Sequence, residues 1–160
     1  MEIDVVKIEK PSDCNIILGQ SHFIKSCEDL YESLVTSAPS IRFGLAFCES
    51  SASRLLRIEG NDPELREIAT REGKKIDAGH TFIIVMRESY PINVLQAIKN
   101  VQEVCNIYCA TANDVEVIIA ETSQGRGILG VVDGLRLKGV EAPEDEGERR
   151  KLLREFGYKL

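Results

Sequence analysis

Asn15-Ile16-Ile17-Leu18-Gly19-Gln20-Ser21-His22-Phe23-Ile24-Lys25 sets an apolar run against a polar one across a single glycine. The unbroken apolar run suits a strand covered on both faces. Amide, hydroxyl, imidazole and ammonium groups follow within the next six residues. A strand ending at Gly19 delivers those groups together at one edge of a sheet, where α/β proteins build their sites. The expected class is therefore α/β.

Upstream, Glu2 to Lys10 alternates, with Ile3, Val5 and Ile8 apolar among charges, and reads as a half-buried strand. Pro11-Ser12-Asp13 is a turn. Downstream, Ser26-x-x-Asp29 resembles a capping box, and Cys27, Leu30, Tyr31 and Leu34 follow at helical spacing until Ala38-Pro39. Ile41 to Phe47 reads as a central strand, paired with Arg54 to Ile58 through Ser50-Ser51-Ala52-Ser53. Asp62-Pro63-Glu64 opens a helix with an N-cap, a proline at the first position and an acid in the first turn. Leu65, Ile68 and Ala69 form its inner stripe. His80 to Met86 is a strand, and Pro91 opens a helix that turns Leu95, Ile98 and Val101 inward. Cys105 to Ala110, Val115 to Ala120 and Ile128 to Val132 are strands. Glu144 to Glu148 is an acidic, loop-like run before a short helix, Arg149 to Phe156, docked by Leu152, Leu153 and Phe156. Two apparent strand pairs are neighbours in sequence, which excludes a purely parallel sheet. The expectation is one layered α/β domain over residues 1–160, with a mixed β-sheet and flanking helices.

Composition bounds the function. Hydrophobic residues make up 43% and charged residues 29% of the 160, an ordinary globular balance with one sizeable core. The net charge of −6 repels phosphate backbones and anionic lipid, so neither nucleic acid nor membrane is an expected partner. No segment approaches the roughly 20 apolar residues of a membrane span. Met1-Glu2-Ile3-Asp4 shows no signal-peptide pattern, so the expected compartment is the cytoplasm. Cys14, Cys27, Cys48, Cys105 and Cys109 contain no C-x-x-C pair, against a disulfide framework or zinc ribbon. Cys105 and Cys109, four apart in one strand, are expected on one buried face.

Gly125-Arg126-Gly127-Ile128-Leu129-Gly130 matches G-x-G-x-x-G, but a strand follows where the dinucleotide fingerprint requires a helix. What remains is either a plain hairpin with a solvated arginine or a Gly-Arg-Gly loop that meets an anion. Ala110-Thr111-Ala112-Asn113-Asp114 is either a turn or a strand end with room for a ligand. Glu49, Asp62, Glu121 and Asp133 all lie at strand or turn ends. Convergent, they would suit a ribose or a hydrated magnesium ion; separate, they are solvated. His80 begins a strand and reads as a local hydrogen-bonding residue. His22, accompanied by Gln20, Ser21 and Lys25, suits acid–base work or phosphoryl carriage. There is no P-loop, no H-R-D or D-F-G set and no G-x-S-x-G.

Taken together, the chain resembles the adenosine-specific kinase family along nearly its whole length. The marks are Gly19-Gln20-Ser21-His22-Phe23-Ile24-Lys25, Arg42-Phe43-Gly44-Leu45-Ala46-Phe47, Gly60-Asn61-Asp62 and Ala78-Gly79-His80. Pro91-Ile92-Asn93-Val94-Leu95, Ala110-Thr111-Ala112-Asn113, Gly125-Arg126-Gly127 through Val132-Asp133-Gly134, and Gly157-Tyr158-Lys159 complete them. The resemblance implies adenosine or AMP binding and assembly as a homotrimer or dimer of trimers. It implies a phosphorylated histidine, carried onto His22 with His80 as second choice. Lys25 joins His22 as catalytic, and Arg126 helps neutralise charge. Gly19, Gln20, Ser21, Phe23, His80, Asn113, Gly125, Arg126, Gly127 and Asp133 become expected ligand contacts. No metal ligand is assigned, and Mg2+ is the only cofactor considered. Ala52 stands where the pattern has glycine and Asp114 where it has proline. Two functions follow, a phosphotransferase working through His22 and a non-catalytic adenosine or AMP sensor. The missing nucleotide-triphosphate cradle favours the sensor, and Lys25 beside His22 favours the enzyme.

Overall fold

Ile16, Ile17 and Leu18 lie inside the larger of two sheets, and none of the three is exposed at all. The computed structural model describes residues Met1–Leu160. In chain order its strands are β1 (Glu2–Lys7), β2 (Asn15–Ser21), β3 (Arg42–Cys48), β4 (Leu56–Gly60), β5 (Thr81–Arg87), β6 (Val104–Thr111), β7 (Val115–Glu121) and β8 (Arg126–Asp133). The helices are α1 (Ser26–Ser37), α2 (Pro63–Ile76), α3 (Pro91–Lys99) and α4 (Pro143–Glu155). The larger sheet runs β4-β3-β5-β2-β6 and the smaller β1-β7-β8.

Every pairing is antiparallel. The α/β class and the flanking helices are as expected, but the mixed sheet resolves into two wholly antiparallel ones. Helices α1, α2 and α3 cover faces of the larger sheet, and no helix serves as a crossover between parallel neighbours.

Both faces of the larger sheet are buried, which is why its central strands read as continuous apolar runs. Ile17, Phe43, Leu45, Phe82 and Ile84 form one core with Leu30 and Leu34 of α1 and Val94 and Ile98 of α3. Ile16, Leu18, Ile83 and Val85 form the other, with Leu65, Ile68 and Ile76 of α2 and Val117 and Ile119 of β7. The layers are thus helix pair, five-stranded sheet, then α2 beside the three-stranded sheet. Gly44 sets how closely α2 lies on β3. A Cβ there would sit 2.1 Å from the Leu65 carbonyl oxygen.

Asp62 caps α2 by accepting from the Leu65 amide at 3.2 Å, and Pro63 follows it. Glu72, on the inner side of α2, is fully buried. It accepts from the Glu9 amide at 3.2 Å and pairs with Arg71 at 2.7 Å and Lys75 at 3.2 Å. These bonds fasten the segment after β1 to the helix.

Four local expectations are corrected. Ser26 is not a side-chain cap: Lys25 occupies the N-cap position, and the Ser26 hydroxyl donates to the Phe23 carbonyl at 2.6 Å. Ile3 and Val5 face outward, while Val6 and Ile8 join the core. Cys105 is exposed and Cys109 buried, because the pairing skips Tyr108 between Leu18↔Cys109 and Gly19↔Ile107 and skips Cys105 itself between Gln20↔Asn106 and Ser21↔Val104, leaving Cys105 a bulge residue. The acidic run Glu144–Glu148 is helical, in an α4 that buries none of its residues.

Candidate functional site

β2 does not stop at Gly19; it continues to Ser21 and carries the polar groups along with it. Gly19 is a packing glycine, since a Cβ there would meet the Phe82 ring at 2.4 Å. The antiparallel register Gln20↔Thr81 then brings the Ala78-Gly79-His80 turn beside the end of β2. The Ser21 amide donates to the His80 carbonyl at 2.9 Å, and the His80 amide to the Cys48 carbonyl at 2.8 Å. Two histidines 58 positions apart in sequence thereby face each other, ring centroids 6.4 Å apart and edge to face. His80 also stacks on Phe47 at 6.0 Å, and His22 lies 6.1 Å from the Phe23 ring. His80 adopts a left-handed backbone, φ 62°, an uncommon state for a residue with a Cβ. His22 and Phe23 are exposed, and Gln20 and His80 half-buried.

Lys25 reaches this end but is occupied. Its ammonium pairs with Asp29 and, at 2.8 Å, with Glu103. The Asp29 carboxylate first, then Glu103, pushes the Lys25 pKa up, so the ammonium stays charged. The same ammonium holds the Glu103 carboxyl below the usual carboxylate range. Glu103 also receives the His22 amide on its backbone carbonyl at 2.7 Å. Two buried oxygens here have no partner, the Ser21 hydroxyl and Glu103 Oε2. Unpaired buried acceptors are costly and are frequent where a ligand or water completes the set. Glu103 carried no sequence signal, and Phe47 carried one only as the end of the Arg42–Phe47 run. Glu103 lies in a turn far from His22 in the chain, and Phe47 reads as ordinary core.

The remaining expected contacts lie elsewhere. Asn113 and Asp133 meet each other: Asp133 Oδ1 accepts from the Asn113 amide at 3.0 Å and the Thr111 hydroxyl at 2.8 Å. Thr111 sits opposite Ile16, and Val104 opposite Ser21. Five strand residues, roughly 17 Å, therefore separate the two ends. Gly125, Arg126 and Gly127 lie at a third place, the β7–β8 hairpin. There Arg126 pairs with Asp4 at 3.3 Å and has Glu121 at 3.8 Å. The four carboxylates considered for magnesium are also apart. Glu49 holds Arg57, Asp62 caps α2 and pairs with Arg42, and Glu121 and Asp133 stand at opposite ends of their hairpin. No group of three or more His, Cys, Asp or Glu residues is placed to hold a metal ion.

Near Asp133 is a cavity of about 540 Å³, lined by Tyr90, Pro91, Ile92, Thr111, Phe156 and Tyr158 among others. No helix of the chain is long and apolar enough to cross a membrane.

Comparison with known proteins gives a family. Residues 6–159 match the family described as adenosine specific kinase. The chain is similar to the PH1918 protein of Pyrococcus horikoshii OT3, whose crystal structure superposes with a TM-score of 0.95. Identity is 46%, over 99% of this chain and 98% of that one. No curated protein matches.

Proposed function

The chain belongs to the adenosine specific kinase family, and from that premise we propose that it binds adenosine or AMP at the His22 end of β2. The observation that carries the reading is the convergence of His22, His80 and the exposed Phe23 ring at the end of β2, where the buried Ser21 hydroxyl has no partner. An exposed aromatic ring suits stacking by a purine, and the hydroxyl suits a ribose or phosphate oxygen. Within one chain a nucleoside cannot reach from His22 to Asn113 and Asp133. Those two are proposed contacts only as contributed by a second copy, in an assembly of three chains or a multiple of three. Calorimetry is expected to show adenosine or AMP binding, with guanosine far weaker. Equal affinity for all four nucleosides, or none for adenosine, sinks the reading.

In the catalytic form of the proposal, a phosphoryl group passes through His22 to or from an adenosine hydroxyl. In the sensor form, His22 only hydrogen-bonds the ligand. One observation favours the sensor: Lys25, the cation nearest in sequence to His22, is already held by Asp29 and Glu103. In both forms Gly125, Arg126 and Gly127, which lie apart from the His22 end within one chain, are proposed to meet the phosphate of AMP only as contributed by a further copy, with Arg126 exchanging a carboxylate partner for it. Arg126→Ala is then expected to weaken AMP by roughly ten- to a hundredfold and adenosine much less. Equal weakening of both ligands in titration would mean that Arg126 shapes the hairpin and does not read phosphate.

A further inference from the structure

Between β2 and α1, residues His22, Phe23, Ile24 and Lys25 belong to no strand or helix, yet they carry both exposed rings of the site. Such a segment moves unless something fastens it. Locally, the Ser26 hydroxyl and amide both donate to the Phe23 carbonyl, at 2.6 and 2.9 Å. From across the fold, one residue takes hold of both ends. The Glu103 carbonyl accepts from the His22 amide at 2.7 Å, and Glu103 Oε1 accepts from the Lys25 ammonium at 2.8 Å. Glu103 stands in the turn between α3 and β6, 78 positions beyond Lys25.

That meeting depends on an irregularity in β6. Gly19 pairs with Ile107 and Gln20 with Asn106, so unbroken pairing would set Ser21 against Cys105 and His22 against Val104. The register skips Cys105 and sets Ser21 against Val104, which brings Glu103 to His22. Bulges re-aim side chains in this way and are frequent beside functional sites.

Stability does not account for the residue. Its side chain is 9% exposed, and glutamate is seldom buried so deeply. Lys25 already has Asp29 one helical turn along, and a largely exposed ammonium gains little from a second partner. Glu103 Oε2 is buried with no hydrogen-bond partner, where an apolar side chain would cost less. What the carboxylate supplies is direction. It fixes where Lys25, the N-cap residue of α1, stands relative to β6.

We propose, on the adenosine reading above, that Glu103 is the positioning residue of this site: it grips His22 through its carbonyl and Lys25 through its carboxylate, and so holds the two rings where a purine meets them. Fixing the segment before the ligand arrives lowers the ordering cost of binding.

The test uses the full chain with isotope-labelled histidine. The chain has two histidines, and His80→Ala identifies which imidazole resonance belongs to His22. Glu103→Ala keeps the carbonyl and loses the grip on Lys25. It is expected to bind adenosine roughly tenfold more weakly in calorimetry. Without ligand, it is expected to move or broaden the His22 resonance and leave that of His80 in place. Glu103→Gln keeps an oxygen for the ammonium and should lie between the two. The exchange Lys25→Glu/Glu103→Lys restores opposite charges across the same gap and is expected to recover most of the affinity and the His22 resonance. A residue that only stabilised the fold would shift the melting temperature and leave both readings alone. Wild-type affinity with an unmoved His22 resonance in Glu103→Ala therefore overturns the proposal. So does weakened binding with an unmoved resonance, since Glu103 would then meet the ligand itself. An exchange variant that folds yet recovers neither reading overturns the route through Lys25. A wild type that binds no adenosine overturns the adenosine reading, and the ligand-free His22 resonance then still decides whether Glu103 positions the segment.

Discussion

Gly44→Ala is expected to lower the unfolding free energy by about 3 kcal/mol, and the melting temperature by roughly 6–12 °C. The added methyl would stand 2.1 Å from the Leu65 carbonyl oxygen and 2.4 Å from the Arg66 nitrogen. Both are backbone atoms of α2's first turn, so no rotamer change relieves the clash. Relief requires the helix to lift from β3, and lifting it withdraws Leu65 and Ile68 from the core that the two sheets share. It also disturbs the Asp62 cap, since Asp62 begins the same turn. Gly125→Ala, where a Cβ meets nothing within 4 Å, serves as the control and should change stability by no more than about 0.5 kcal/mol. Calorimetric unfolding of the two variants decides it. Equal melting temperatures would mean that α2 does not press on β3.

His22→Ala is expected to abolish any acid-labile phosphate adduct, and His80→Ala to retain it. The two rings face each other, so proximity does not choose between them; their surroundings do. His22 is exposed, and the rings placed near its imidazole are those of His80 and Phe23. His80 is half-buried, stacked on Phe47 and held in a left-handed backbone by its bonds to Ser21 and Cys48. A phosphate on His80 would have to displace an aromatic contact, whereas on His22 it meets solvent. Phosphohistidine is a phosphoramidate, lost in acid and kept in base, which separates it from phosphoserine on Ser21. Intact mass before and after acid, on His22→Ala, His80→Ala and Ser21→Ala proteins of confirmed fold, reads the outcome. An adduct that survives in His22→Ala and vanishes in His80→Ala reverses the assignment. No adduct in any of them, with adenosine still bound, leaves the sensor.

Much of this was legible wherever the chemistry is local. Asp62-Pro63 specified the start of α2, and the apolar runs of β2, β3 and β5 announced strands buried on both faces. The errors arose where pairing across the fold decides. In Ile3-Asp4-Val5-Val6-Lys7-Ile8 apolar residues occupy both parities, so alternation alone could not say which faces inward. β7, more than a hundred residues away, made that choice. Two bulges in β6, one of them at Cys105 itself, put that thiol on the surface, and no local residue forecasts them. The approach of His22 to His80 follows from the β2–β5 register and was invisible until that register was known. Pro143 followed by Glu144, Asp145 and Glu146 is a helix start with acids in its first turn, a local signal that the loop-like acidity of the run masks.

The pairing of β1 with β7 also governs when the protein can become whole. Glu2 meets Glu121 and Lys7 meets Glu116, so during synthesis β1 has no partner until residue 121 has followed. At about 5–20 residues per second, that delay is on the order of ten seconds. During that time β2, β3, β4 and β5 can already join, while Ile16, Leu18, Ile83 and Val85 show water the face that the smaller sheet will later help cover. The nascent chain is therefore most vulnerable to sticking just before its last hairpin emerges, and charged Glu2, Asp4 and Lys7 on the waiting strand help keep it in solution until then.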